Sequence, residues 1–147
     1  MAGGVVGGSF PDDPRVGTGD IVWRLISSQW YCADPNIPNS PREIVRTAFS
    51  GDVSVLRQAV VTESLVNTAC NGKFAQYGIL ELKADDIRNL GLVFEHEHDP
   101  EWGTDAHFLL RRVGGSKTQP KLQQLNNTQK AHLANLANRK PLRRYPP

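Results

Sequence analysis

Three of the four histidines, His96, His98 and His107, stand close enough in the chain to pose the first chemical question. A His-x-His pair on one face of a strand, joined by a third histidine from a neighbouring strand, suits tetrahedral zinc. The same residues also read as a charged strand end, because Glu95-His96-Glu97-His98-Asp99 is the composition that discourages edge pairing. We assign no metal and no cofactor, with His96, His98 and His107 as the weak metal candidates. His107 carries a second possibility. It follows Asp105 at the start of an apolar strand and beside a loop, where sites collect, and an imidazole near neutral pH serves as base or acid. The ordinary alternative is a structural histidine bonded to a backbone carbonyl. Arg24 is the matching cation, in a strand on a face shared with Val22 and Ile26. It either anchors an anionic ligand through its planar fork or pairs internally with a carboxylate. Arg46, Ser50 and Ser54 flank a Gly51-Asp52 turn, whose hydroxyls and N–H groups are able to hold an anion or simply to cap the turn. The candidate ligand site is therefore Arg24, Arg46, Ser50, Ser54 and His107, with His107 and Arg24 the catalytic pair if the protein is an enzyme. No Ser-His-Asp triad is arguable, since nothing in the spacing decides which serine approaches His107. Cys32 and Cys70 are too few and too far apart for a disulfide framework or zinc knuckle, and are read as reduced thiols.

These residues need elements to hold them. Residues 20–26 alternate as a strand, with Ile21, Trp23 and Leu25 on one face and Val22, Arg24 and Ile26 on the other. Residues 33–41 contain three prolines and form loop. Residues 53–56 begin as strand. Thr62 caps a helix running to about residue 70, and Asn71-Gly72 turns the chain. From residue 76 to 112 the pattern reads strand, short helix, strand, loop, strand. Asp85 and Asp86 open the helix, favoured by its positive N-terminal end, and Gly91 closes it in the left-handed conformation. Asn127 is placed to cap a helix to about residue 139, with Leu133 and Leu136 as a thin apolar stripe, and Pro141 ends it. The expected fold is α+β: a small mixed or antiparallel sheet, two or three short helices, and polar, flexible ends. The expected organisation is a mobile lead-in over 1–19, a core domain over 20–112, and a basic helix and tail over 113–147.

With 147 residues, 39% hydrophobic and 22% charged, the chain is sized for one domain with a real core. It has no apolar run long enough for a membrane span and no basic-then-apolar leader. A cytoplasmic protein without membrane contact is the expectation. The net charge of +2 names no partner, but Arg111 onward has nine Lys or Arg and no Asp or Glu. Lys117, Lys121, Lys130, Arg139, Lys140, Arg143 and Arg144 then suggest weak, non-specific, salt-sensitive contact with nucleic acid.

Taken together, Trp23-Arg24, Ala48-Phe49 with Ser54-Val55, Gly78, Leu90-Gly91, Asp99-Pro100 and Ala106-His107 resemble a widespread family of small uncharacterised bacterial proteins. That resemblance spans about residues 20–112 and implies one compact domain there, with no particular activity. The chain is also similar to ADP-ribosyltransferase-like folds, in which Arg24 and Ser54 match a basic first strand and a serine strand cradling nicotinamide. No glutamate here is assignable to that family's catalytic position. The leading expectation is a binding or accessory protein in a bacterial conflict or regulatory system, recognising a protein partner or a small anionic, nucleotide-like ligand. The alternative is a small nucleotide- or NAD-handling transferase or nuclease-like toxin using Arg24 and His107.

Overall fold

The computed structural model describes residues 10–119 and 122–147. Residues 1–9 of the expected lead-in over 1–19, and Lys121 of the basic tail, lie outside the described residues. The chain forms strand β1 (Ile21–Ile26), the two short strands β2 (Tyr31–Cys32) and β3 (Glu43–Ile44), and β4 (Val53–Arg57). Helix α1 (Glu63–Gly72), β5 (Gly78–Lys83), α2 (Ala84–Arg88), β6 (Leu92–His96), β7 (His107–Arg112) and α3 (Asn127–Ala137) follow. The main sheet has five strands in the order β5-β1-β4-β7-β6, and every pairing in it is antiparallel. Strands β2 and β3 make a separate ribbon. The fold is α+β. Among the described residues no helix is long and apolar enough to cross a membrane.

The alternation of β1 splits the core as its sequence suggests. Val22 and Ile26 join Leu80, Phe94, Phe108 and Leu110 in the larger cluster, which α2 and α3 cover with Ile87, Leu133, Ala134 and Ala137. Trp23 joins Leu56, Ile79, Trp102 and Ala106 on the other face, which α1 covers with Val66 and Ala69. Both faces being covered explains why the central strands read as near-continuous apolar runs.

Local chemistry fixes the elements. The Thr62 side chain accepts the Leu65 N–H at 3.1 Å and starts α1. That helix breaks early: Ala69 turns extended (ψ 153°), and Cys70 and Asn71 take left-handed φ values of 54° and 59°. Gly91 holds φ 79° at the end of α2, as read from its position. The start of α3 is one residue earlier than expected. Asn126, not Asn127, is the cap, and it exchanges hydrogen bonds reciprocally with Gln129.

At both ends the described residues pack against the sheet. Strands β5 and β6 are the sheet's edges, and their unpaired backbone groups demand cover. At β6, the Asp13 N–H donates to Phe94 O at 3.0 Å and the Phe94 N–H donates to Asp12 Oδ1 at 3.1 Å, with Phe10 and Val16 buried. At β5, the Ile79 N–H donates to Arg144 O at 2.8 Å, and Leu142 and Pro146 are buried. Leu125, Leu133, Ala137 and Leu142 share one core cluster with residues of the sheet, so the core continues past the expected boundary at 112.

Candidate functional site

The site begins where the sheet parts. β1 and β5 pair along six residues, but β1 and β4 pair only through Val22–Arg57 and Trp23–Leu56. Beyond Trp23 the strands diverge, and the Arg24 guanidinium takes the place of the missing ladder bonds. Its Nε and Nη2 donate to Ala48 O at 3.2 and 2.7 Å, and Nη1 donates to Ser54 O at 3.1 Å. Trp30 lies against the guanidinium with its ring centre 5.0 Å from Cζ. Arg24 is 7% exposed, and among the described residues no carboxylate pairs with it. Burial lowers its pKa to about 10, against a smaller opposing effect of neighbouring Tyr77. A guanidinium has five N–H donors, so three bonds to carbonyls leave two donors and an uncompensated charge.

That charge lines a cleft of about 460 Å³. All three tryptophans of the chain, Trp23, Trp30 and Trp102, line it, with Phe74 and Tyr77. Phe74 packs edge-on to Tyr77 at 4.9 Å between centroids and tilted against Trp102 at 5.7 Å. Polar groups at the same cleft are Ser54, Lys73, Asp99 and His107, and Cys70 stands on its wall. The size and the apolar lining with few polar groups are those of small-molecule sites.

His107 is brought to the cleft by its register: it pairs with Leu56 across β7 and β4. Its side chain is 9% exposed, and its buried Nδ1 has no hydrogen-bond partner. Glu97 lies opposite on the β6 side, where the Glu97 N–H donates to His107 O at 3.1 Å and Glu97 Oε1 is 3.9 Å from Nδ1. His96 is on the other face of the sheet. Its Nε2 is 2.7 Å from Thr104 O, and its ring packs 5.3 Å from Phe108. His98 is exposed beyond the end of β6. Among the described residues no three His, Cys, Asp or Glu gather as metal ligands.

Of the residues expected at a ligand site, Arg24, Ser54 and His107 share this cleft. Arg46 and Ser50 do not; both are exposed in or next to the 3₁₀ turn Arg46–Phe49, and Arg46 faces a separate depression beside α3. The sequence reading missed Trp30, Lys73, Phe74, Tyr77, Glu97, Asp99 and Trp102. The aromatic ones carried a signal, since every tryptophan converges here.

The strained turn at Cys70 also belongs to the wall. Its N–H donates to Glu101 Oε2 at 3.1 Å. Burial, followed by Glu101 and Asp99, pushes the thiol pKa up, which disfavours the reactive thiolate. Two tail cations are structural as well. Arg143 pairs with Glu63 at 3.0 Å and Glu81 at 3.3 Å, while Arg144 donates to Tyr77 O at 2.9 Å and Phe74 O at 3.2 Å. A second depression of about 410 Å³, near Arg42, Arg139 and Lys140, has among the described residues no buried unpartnered group on its wall. No family model, curated protein or solved structure matches the chain.

Proposed function

We propose that this chain is a binding protein whose cleft takes a small anionic ligand carrying a flat ring, of which a nucleotide is the type. One observation carries the reading: Arg24, buried, charged and without a carboxylate, lies at a cleft lined by every tryptophan of the protein. A buried cation without a counter-ion costs stability, and an anion from outside offsets that cost. The aromatic walls suit stacking against a planar ring, and Lys73 adds a second cation at the rim. An accessory or regulatory role fits a site with this recognition chemistry.

The test is intrinsic fluorescence. Adenosine monophosphate should quench the tryptophan emission saturably, inorganic phosphate should compete, and Arg24→Ala should abolish the response. Unchanged emission through millimolar nucleotide would refute the reading. A second reading, an NAD- or nucleotide-handling transferase, is favoured by one contact. Arg24 and Ser54, the positions matching the ADP-ribosyltransferase-like pattern, are joined by the 3.1 Å bond from Nη1 to Ser54 O. Release of nicotinamide from NAD by the purified protein would favour it over simple binding.

A further inference from the structure

Glu97, His107 and Ser54 lie on three neighbouring strands, and their register puts them on one face. Phe108 pairs with His96, so Glu97 and His107 stand opposite, as the bond from the Glu97 N–H to His107 O confirms. Ser54 pairs with Leu109 and Leu56 with His107. Ser54 is thus the diagonal neighbour of His107 on the same face, with Cα atoms about 7–8 Å apart. β7 lies between β6 and β4. With Nδ1 turned to Glu97 on the β6 side, Nε2 is the ring nitrogen left for a second partner. Nδ1 is buried, unpartnered and 3.9 Å from Glu97 Oε1. That gap closes with a small side-chain movement, and catalytic hydrogen bonds are commonly long before substrate binds. No hydrogen bond holds the Ser54 hydroxyl among the described residues, while the Ser54 carbonyl is held by Arg24. Beyond its three bonds to Ala48 O and Ser54 O, that guanidinium keeps two N–H groups.

We infer that Ser54, His107 and Glu97 form a nucleophile–base–orienting triad for acyl transfer, acting on a small carboxylic ester with a flat aromatic portion. Triads are recognised by geometry and roles, not by order in the chain. Glu97 is the positioning residue: it fixes the tautomer with the proton on Nδ1. Nε2 takes the Ser54 hydroxyl proton as Oγ bonds to the carbonyl carbon, and the carbonyl electron pair moves onto oxygen beside Arg24. Collapse breaks the bond to the leaving alcohol, which departs with the proton from Nε2. Water, deprotonated by Nε2 in turn, attacks the acyl-serine and releases the acid and free Ser54. The inference rests on the reading of the cleft as a ligand site, with the developing oxyanion as the negative charge that Arg24 meets.

A fluorophosphonate probe tests the nucleophile without knowledge of the ester. Oγ displaces fluoride from phosphorus, and the proton leaves through Nε2. Mass spectrometry of the digested wild-type protein should place one adduct on Ser54. Ser54→Ala should carry none there, and His107→Gln should slow labelling at least about 100-fold. Glu97→Gln should slow it and displace its pH midpoint, which a merely structural glutamate would not do. No adduct on Ser54, or equal labelling of the urea-unfolded chain, overturns the triad. Nucleotide quenching is measured on the same samples. Quenching without an adduct sinks the triad and leaves the binding site standing; an adduct without quenching keeps the triad and sinks the nucleotide reading.

Discussion

Arg24→Ala sets two opposed effects of similar size against each other. The side chain satisfies two carbonyls on separate elements, and the bonds to Ala48 O are buried, whereas that to Ser54 O is partly buried. Orphaning a buried carbonyl costs about 1–3 kcal/mol. Water in the cleft is able to reach Ser54 O, so only Ala48 O bears the full penalty. Losing the Trp30 contact adds about 1 kcal/mol. Against these stands relief of desolvation. A guanidinium held at about 10, well below its ordinary value, destabilises the folded state by about 3 kcal/mol at neutral pH, at about 1.4 kcal/mol per pH unit. The net change is expected within about 2 kcal/mol of zero, or under roughly 8 °C in Tm for a chain of this size. The discriminating measurement is the anion response. In the wild type, adenosine monophosphate at about 100 times its Kd should add about 2.7 kcal/mol, or roughly 5–10 °C, and in Arg24→Ala nothing. A loss above about 4 kcal/mol for Arg24→Ala, with no nucleotide-dependent shift in the wild type, would refute the ligand reading and make Arg24 a purely structural clamp.

Gly78→Ala should destabilise by about 1–3 kcal/mol, because its Cβ would stand 2.6 Å from Pro146 Cδ and 2.8 Å from Arg144 O; a melt unchanged from wild type would show the tail undocked. Deleting residues 113–147 removes Leu125, Leu133, Ala137 and Leu142 from the core, and circular dichroism should show an unfolded or molten chain, whereas a cooperative native melt would contradict the shared core. Leu133→Ala alone, at a fully buried position, should cost about 2–5 kcal/mol in urea titration. Cys70, whose thiol is pushed up from 9.0 by burial and then by Glu101 and Asp99, should react with iodoacetamide more slowly than in the unfolded chain. The sign of the linked stability follows: the unfolded thiol loses its proton first, so this contribution falls as pH rises past about 9, and Cys70→Ser should flatten that fall.

The parts of the fold legible in sequence were those written in short-range pattern. The two-faced alternation of β1, the Thr62 cap and the Gly91 helix end each depend on residues within one element, and each took its expected place. Arg24 stood out as a cation on an apolar face for the same reason. Its partner did not, because backbone carbonyls carry no side-chain signature: Ala48 O and Ser54 O are available to it only where β1 and β4 part. Glu97 was equally hidden, looking like one more charge on an edge strand until the β6–β7 register set it against His107.

The ends show the same limit from the other side. A tail rich in Arg and Pro has the composition of a solvated segment, and composition cannot report an uncovered strand edge waiting elsewhere in the chain. Once β5 is the sheet's outer strand, its backbone groups need partners, and residues 143–144 supply them through Ile79. The arginines then do more than neutralise Glu63 and Glu81. Arg144 grips the carbonyls of Phe74 and Tyr77, two aromatic walls of the cleft, and Arg143 lies 4.9 Å from the ring of a third, Trp23. Edge protection and cleft construction are therefore one piece of structure. Arg144→Ala should consequently weaken nucleotide quenching more than it lowers Tm, since it frees the Phe74–Tyr77 turn while the β5 bridge, made by backbone atoms, persists. A variant with wild-type quenching would separate the tail from the site and leave it as edge cover alone.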